Sequence, residues 1–340
     1  MFRNMGIGKK IAYGFGAIVI LLGIVALWSI SGISNIVRNA EEVIKGNELR
    51  GVVVQREVDH LNWANNVNAL LTDENVTELN IQTDPHQCGF GKWYYSEARE
   101  QAEKSVPEIK EYLDSIEKPH NHLHQSVIEI RNVFTQADIE LGNFLREKKT
   151  DHLAWAHLIK DAFLEESVTK LDAQLDPTKC SLGKWMSSPD VAKLKFKYPD
   201  FASALAELEE PHQKLHESAK HIEQMLVQNS QIEAKKYFMQ NTKPLLSECL
   251  AAINGMLAWQ DKQIDGLHKA NAIYSSQTKP ALNQVQHLLG KISKSVEGNI
   301  MTDDAMLAAA SRTKTVVMIF SIVAGFISIF LAFTIARGII

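Results

Sequence analysis

The chain of 340 residues carries 36 Lys and Arg against 40 Asp and Glu, a formal net charge of −4, so it has no basic field for a nucleic-acid partner. Its 9 prolines and 18 glycines are few for the length, and no low-complexity tract interrupts long windows rich in Ala, Leu, Glu, Lys and Gln at helical period. That composition reads as an all-α protein. No nucleotide loop, nucleophile elbow, kinase motif or Cys-x-x-Cys-His haem attachment is present, and the sequence predicts a protein that is not an enzyme.

In chain order, residues 11–30 form the first uncharged run, long enough to cross ~30 Å of hydrocarbon as a helix. It exceeds the apolar core of a signal peptide, and no small-x-small cleavage site follows. Arg3, Lys9 and Lys10 precede it and Glu41 and Glu42 follow, so residues 1–10 are expected in the cytoplasm and a span at 11–32 leads outward. A second uncharged run covers residues 316–335, within a span placed at 315–336. Arg312 and Lys314 before it count against the orientation, and Arg337 lies beyond it. The residues between the spans, 33–314, are then an extracytoplasmic domain of an inner-membrane protein.

The first helix is predicted to run on through His60 and Trp63 to about Leu71, before a loop holding Cys88. A second helical region is expected from about Glu97 to Leu171, interrupted near Pro107 and Pro119, with Leu123, Val127, Ile130, Phe134 and Leu141 on one apolar stripe. A loop at Asp176-Pro177 holds Cys180, and helix resumes near Asp190. The returning helices fill 226–314. Each of two Thr-Lys-Pro sequences, at Thr242 and Thr278, marks a helix start with proline in the first turn.

One sparse pattern occurs twice, and every counterpart lies 92 positions on. The first copy has His60, Trp63, Asp84-Pro85, Cys88, Gly91-Lys92-Trp93, Pro119-His120 and His124; the second has His152, Trp155, Asp176-Pro177, Cys180, Gly183-Lys184-Trp185, Pro211-His212 and His216. Each copy supplies three imidazoles and one thiol, the four-ligand complement of a closed tetrahedral zinc site. His120 with His124, and His212 with His216, are four apart and so project from one helix face. The other two ligands come from separate segments, so folding and metal binding are coupled. Two Zn2+ per chain are expected, held by His60, Cys88, His120 and His124 and by His152, Cys180, His212 and His216.

Other chemistry fits less well. A lone histidine pair at this spacing is usually a surface or packed pair, but duplication of all eight residues favours ligation over a polar core network. Trp63, Trp93, Trp155, Trp185, Leu123 and Leu215 read as packing residues. So do the unmatched His86, His122, His157, His221, His268 and His287, or else as surface positions. Glu117 and Glu209, three before His120 and His212, make the Glu-x-x-His unit of di-iron bundles. Each copy offers one such unit where two are needed, and the thiol favours zinc. If residues 124–152 were helical throughout they would span about 42 Å, which would put the two sites in separate modules. A Cys88–Cys180 disulfide is then out of reach, and Cys249 is predicted to be a buried small hydrophobe.

These residues resemble the chemoreceptor zinc-binding domain, in His60 with Trp63, Cys88-Gly-Phe-Gly-Lys-Trp-Tyr and Pro119-His120 with His124, and again in His152, Cys180-Ser-Leu-Gly-Lys-Trp-Met, His212 and His216. The resemblance implies a four-helix bundle whose zinc is held by three histidines and the cysteine. It covers repeats at about 55–130 and 147–225. The flanks are similar to those of a bacterial methyl-accepting chemotaxis receptor, and Ala336-Arg337-Gly338-Ile339-Ile340 is similar to the start of a HAMP linker, placed at 337–340. The family's module is commonly cytoplasmic, whereas here it stands twice between spans.

The expected fold is therefore an elongated all-α bundle with two tandem four-helix-type modules between two transmembrane helices. The expected function is a periplasmic or external chemotaxis sensor that passes metal or oxidant state to a cytoplasmic signalling domain. The resemblance implies a homodimer that acts on a chemotaxis kinase and coupling protein. The alternatives are a structural zinc with a small organic ligand sensed elsewhere in the bundle, and a histidine kinase or diguanylate cyclase as output.

Overall fold

A computed structural model describes residues 5–165 and 167–337. The reading of Gly338, Ile339 and Ile340 as the start of a linker, and the charge at Arg3, lie outside the described residues. Among those described, the chain is helical and contains no strand.

Helix α1, Ile7–Thr72, is continuous over 66 residues. No proline falls within it, and its first part is the uncharged run. Further along, it leaves an apolar stripe uncovered: Ile33, Val37, Ile44, Val54, Val58 and Leu61 are all between 41 and 65% exposed. Their spacing follows alternating threes and fours, with Ala40, Asn47 and Gly51 at the intervening places.

Short elements follow. Helix α2, Gly89–Tyr94, is capped by Cys88, and α3, Glu97–Ser105, by Ser96, whose side chain accepts from the Ala98 N–H. After a 3-10 turn at Pro107–Ile109 comes α4, Lys110–Val133. Pro119 lies inside α4 and does not interrupt it, contrary to the sequence expectation. Proline removes one backbone bond, but helix continues on both sides because the flanking Ile116, Leu123, Val127 and Ile130 are wholly buried.

The break comes instead at residues 134–138, and α5, Ile139–Asp161, starts on an Asp138 cap. Helix therefore does not run through to Leu171, and the distance estimate that assumed it does not apply. The second copy repeats the series with α6, Ser181–Met186, capped by Cys180, then α7, Pro189–Lys197, and α8, Pro199–Val227, which contains Pro211. Both cysteines sit at helix N-caps rather than within plain loops.

Helix α8 ends on Asn229, whose φ of 58° is the left-handed conformation. The Asn229 N–H donates to Leu226 O at 3.0 Å and the Ser230 N–H to Met225 O at 2.9 Å, a Schellman closure in which asparagine stands in for glycine. Next come α9, Gln231–Tyr237, α10, Lys243–Ile273, α11, Lys279–Asn299, and α12, Asp303–Arg337.

The two Thr-Lys-Pro sequences do not begin separate helices. Single π turns at Phe238–Thr242 and Tyr274–Thr278 join α9 to α10 and α10 to α11. The Lys243 N–H reaches back five residues to Phe238 O, a wider ring that carries the helix past the missing N–H of Pro244. A true break separates α11 from α12, where Ile300 is extended at φ −107° and ψ 141°.

The chain divides into two compact units. One comprises residues 1–66, 80–125 and 277–340. It buries Phe90, Ile109, Leu113 and Ile116 together with Val285, Leu289 and Ile292 of α11 to 1% exposure or less. Within it α1 and α12 meet: the Trp28 and Phe320 rings are 5.3 Å apart, and a Cβ on Gly32 would come 2.5 Å from Thr313 Cγ2. The other unit comprises 67–79 and 126–276. Its core joins α5, α8 and α10 through Leu145, Ile159, Leu205, Leu208, Ile222 and Ile253. Cys249 is fully buried there and unpaired with another cysteine.

Candidate metal centres

The eight residues read from the sequence form two clusters. His60 from α1, Cys88 at the cap of α2, and His120 and His124 from α4 offer ligand atoms all within 4.8 Å of one another, and His152, Cys180, His212 and His216 do the same. The six imidazoles are 1–4% exposed. His86, His122, His157, His221, His268 and His287 are all exposed and belong to neither cluster.

The local sequence builds the loop that delivers each thiol. Asp84 N donates to Gln82 Oε1 at 2.9 Å and His86 N to Asp84 Oδ1 at 2.8 Å, so two side chains turn the backbone into Pro85. Asp176 N to Gln174 Oε1 and Thr178 N to Asp176 Oδ1, both 3.0 Å, repeat this. Each cysteine then caps a short helix: Sγ accepts from the Gly91 N–H at 3.1 Å, and from the Gly183 N–H at 3.2 Å in the second copy. Glycine is required there by close approach. A Cβ on Gly91 would lie 1.9 Å from Pro85 O, and one on Gly183 1.8 Å from Pro177 O.

Histidine orientation is fixed from behind. His60 Nδ1 lies 2.6 Å from Arg56 O and His152 Nδ1 2.7 Å from Lys148 O, each the carbonyl one helical turn back. His216 Nδ1 lies 2.8 Å from Gln174 O. A proton on Nδ1 donating to each carbonyl leaves Nε2 as the lone-pair nitrogen. The indoles of Trp63 and Trp155 donate to Gln82 O and Gln174 O at 2.9 and 2.8 Å, while their rings lie 5.2 Å from His124 and His216. The tryptophans pack, as expected, and also anchor the loops.

The inward atoms are what a metal ion would need. Nε2 of His60, His124, His152 and His216 is buried without a hydrogen-bond partner, a costly arrangement unless something else accepts the lone pair. His120 Nε2 lies 3.3 Å from Cys88 Sγ, and His212 Nε2 3.2 Å from Cys180 Sγ. Zinc bonds of ~2.0 Å to nitrogen and ~2.3 Å to sulfur give tetrahedral edges of roughly 3.3–3.7 Å. The donor sets fit Zn2+.

Burial also sets the protonation of the metal-free clusters. It pushes His120 down to about 2 and His212 to about 3, with neighbouring imidazoles adding to the effect, and holds His124 and His216 at about 4. His60 and His152 are lowered for the same reason. Neutral imidazole is the ligating form. Burial raises both thiols, opposed by the N–H groups of residues 90 and 91 and of 182 and 183. Those N–H groups stabilise a thiolate once a cation displaces the proton.

Glu117 and Glu209 stand outside both clusters. Tyr95 Oη donates to Glu117 Oε1 at 2.9 Å, and Lys195 Nζ to Glu209 Oε1 at 3.0 Å, so neither glutamate adds a carboxylate ligand.

A supporting pair beside each thiol was missed in the sequence. Arg56 Nη1 meets Asp59 Oδ2 at 2.7 Å; at the equivalent positions Lys148, only 4% exposed, meets Asp151 Oδ2 at 2.6 Å, Glu147 Oε1 at 2.6 Å and Ser181 Oγ at 2.9 Å. The 92-residue offset extends to both pairs, but the switch from Arg to Lys hides it. The position facing the cation switches too. The longer Arg56 lies against Gly89, where a Cβ would meet its Nη1 at 2.1 Å, and the shorter Lys148 is met by Ser181.

The chemoreceptor zinc-binding domain matches the chain twice, over residues 60–131 and 152–223. With the two clusters this gives two tandem chemoreceptor zinc-binding domains carrying three-histidine, one-cysteine sites. No curated protein and no solved structure matches the chain.

Proposed function

We propose that this chain is the sensor region of a membrane-anchored chemoreceptor, holding one zinc ion in each of two four-ligand sites and passing changes at those sites toward the membrane. The observation that carries this reading is the continuity of α1, which holds the uncharged run at 11–30 and, without a break, His60. A ligand and a span on one helix, about 45 Å apart at ~1.5 Å per residue, move together.

Both uncharged runs leave their apolar side chains exposed, among them Leu22 and Leu27 of α1 and Phe326 and Ile329 of α12, as lipid-facing helices do. The sensor domain lies outside the cytoplasm of a bacterium, with the anchors in the inner membrane and the N-terminus inside. The uncovered stripe of α1 has the a/d spacing of a parallel coiled coil, which supports a homodimer. Output runs through a cytoplasmic chemotaxis kinase and its coupling protein. Three imidazoles and a thiolate fill a tetrahedral ion's coordination sphere, so the sites bind rather than catalyse.

Metal analysis of the protein purified without chelator tests the reading. About two zinc ions per chain are expected, falling to about one in Cys88→Ser or Cys180→Ser. Absence of bound metal in the parent chain sinks it. Unaltered responses to zinc and to oxidant in the double variant would remove the sensing role and leave zinc as a structural staple.

A further inference from the structure

We propose that the two centres are unequal in access: the Cys180 centre exchanges its metal and meets small reagents, while an aromatic lid restricts access to the Cys88 centre. The inference rests on the reading of both clusters as zinc sites.

In the second copy an opening of about 330 Å3 reaches the cluster and is lined by Pro177, Thr178, Gly183, Ser187 and the ligand His212. Pro177 O lies 3.3 Å from Cys180 Sγ and the Gly183 N–H donates to it at 3.2 Å. The opening thus borders one imidazole and the two backbone groups that hold the thiol. A water molecule occupies ~30 Å3 of liquid, so a reagent of a few heavy atoms fits.

The first copy fills the same places differently. Thr178 and Ser187 correspond to His86 and Tyr95, and Met186 to Tyr94. The His86 ring stacks on Tyr95, with centroids 4.2 Å apart and planes 18° from parallel. Tyr95 Oη donates to Glu117 Oε1 at 2.9 Å, so the lid is latched to α4, the helix that carries His120 and His124. Tyr94 closes the inner edge, its hydroxyl donating to Leu113 O at 3.0 Å and its ring 4.9 Å from that of Tyr95. The second copy has no counterpart of the latch, since Glu209 is engaged by Lys195 at 3.0 Å.

Opening the lid breaks one stacked pair and one charge-assisted hydrogen bond, enough for about a tenfold difference in rate between the sites. One centre then holds its module together while the other reports on the surroundings.

The test uses the full chain in detergent. Zinc per chain is measured first, then alkylation by iodoacetamide, in which the thiolate sulfur displaces iodide from the reagent's carbon. Peptide mass spectrometry follows Cys88 and Cys180 separately, with buried Cys249 as the slow control, and a chromophoric chelator follows zinc loss. Cys180 is expected to react about tenfold faster than Cys88, and zinc to leave in two phases. The pair Thr178→His and Ser187→Tyr should slow Cys180 toward Cys88, and the reverse pair His86→Thr and Tyr95→Ser should speed Cys88. Equal rates, a faster Cys88, or a ratio unmoved by both pairs overturns the inequality. Fewer than two zinc ions in the parent chain overturns the zinc reading instead, and alkylation of the metal-free chain still decides the access.

Discussion

Gly91 and Gly183 show how a residue can be prominent in a sequence for a reason that only three dimensions reveal. The repeated Gly-Lys-Trp marks them, yet their role is to let the Pro85 and Pro177 carbonyls pass over the cap that holds the thiol, with a Cβ arriving within 2 Å of backbone oxygen. Backbone cannot swing aside as a flexible side chain can. Gly91→Ala or Gly183→Ala should therefore cost about 1–3 kcal/mol and lower zinc content by about one ion per chain, read by urea unfolding and metal analysis. Gly255→Ala, where a Cβ meets nothing within 4 Å, is the control and should leave zinc unchanged.

The buried imidazoles give a second residue-scale expectation. Their folded-state pKa values lie below the ordinary 6.5, so the unfolded chain binds protons first as pH falls and stability is lost from about pH 6.5 downward. A histidine held at about 4, as His124 and His216 are, takes away ~2 kcal/mol between pH 7 and pH 5. The urea midpoint of chelator-treated protein should fall steadily over that interval. In His124→Asn with His216→Asn the fall should be shallower, because two of the titrating groups are gone. An unchanged slope would show that these imidazoles are not held neutral by the fold.

At the scale of elements, periodicity and punctuation revealed most helices but misjudged how they end. The run of α1 through Trp63 was legible because nothing in it breaks a helix. Pro119 was read by propensity, whereas packing on both sides overrides a single lost bond. Thr-Lys-Pro looked like a start because proline favours a first turn; a π turn lets the helix accept the same proline in passing, and local sequence does not distinguish the two. The short caps α2 and α6 are six residues each, below the length at which periodicity can be seen. The exposed stripe of α1 is now open to test. If a second copy covers it in parallel register, Val37→Cys at an a position should form an intermolecular disulfide under mild oxidation. Lys45→Cys, one place beyond Ile44 and off the stripe, should form far less. Equal cross-linking at both positions, or none at Val37→Cys, would reject the stripe as an interface.

On the scale of the molecule, the constant offset of 92 made both clusters legible, since duplication keeps ligands in step even where the chain around them drifts. Unit composition was not legible. One unit gathers residues 1–66, 80–125 and 277–340, because α11 and α12 return to the same body as α1 and α4, and sequence order says nothing about which distant segments meet. That gathering has a mechanical consequence. The first cluster joins α1 to α4 through His60, His120 and His124, and α1 in turn touches α12 where the Trp28 and Phe320 rings are 5.3 Å apart. Gly46 receives Ile300 at the break between α11 and α12: a Cβ there would lie 2.4 Å from Ile300 Cγ2. Met301 N donates to Glu42 Oε1 at 3.1 Å, and Asn47 Nδ2 to Asp303 Oδ1 at 3.3 Å. The start of α12 is thus clasped to the helix that carries His60, and a change in α1 has a direct route to the second apolar run. Cysteines at Trp28 and Phe320 would report it in protein reconstituted into lipid bilayers, on a background with Cys249→Ser. Zinc removal should change the rate of the Trp28→Cys to Phe320→Cys disulfide by a few-fold, and adding Cys88→Ser should abolish that response while Cys180→Ser leaves most of it. A rate indifferent to zinc in every background would mean that the first site holds its bundle together without moving the apolar run of α12.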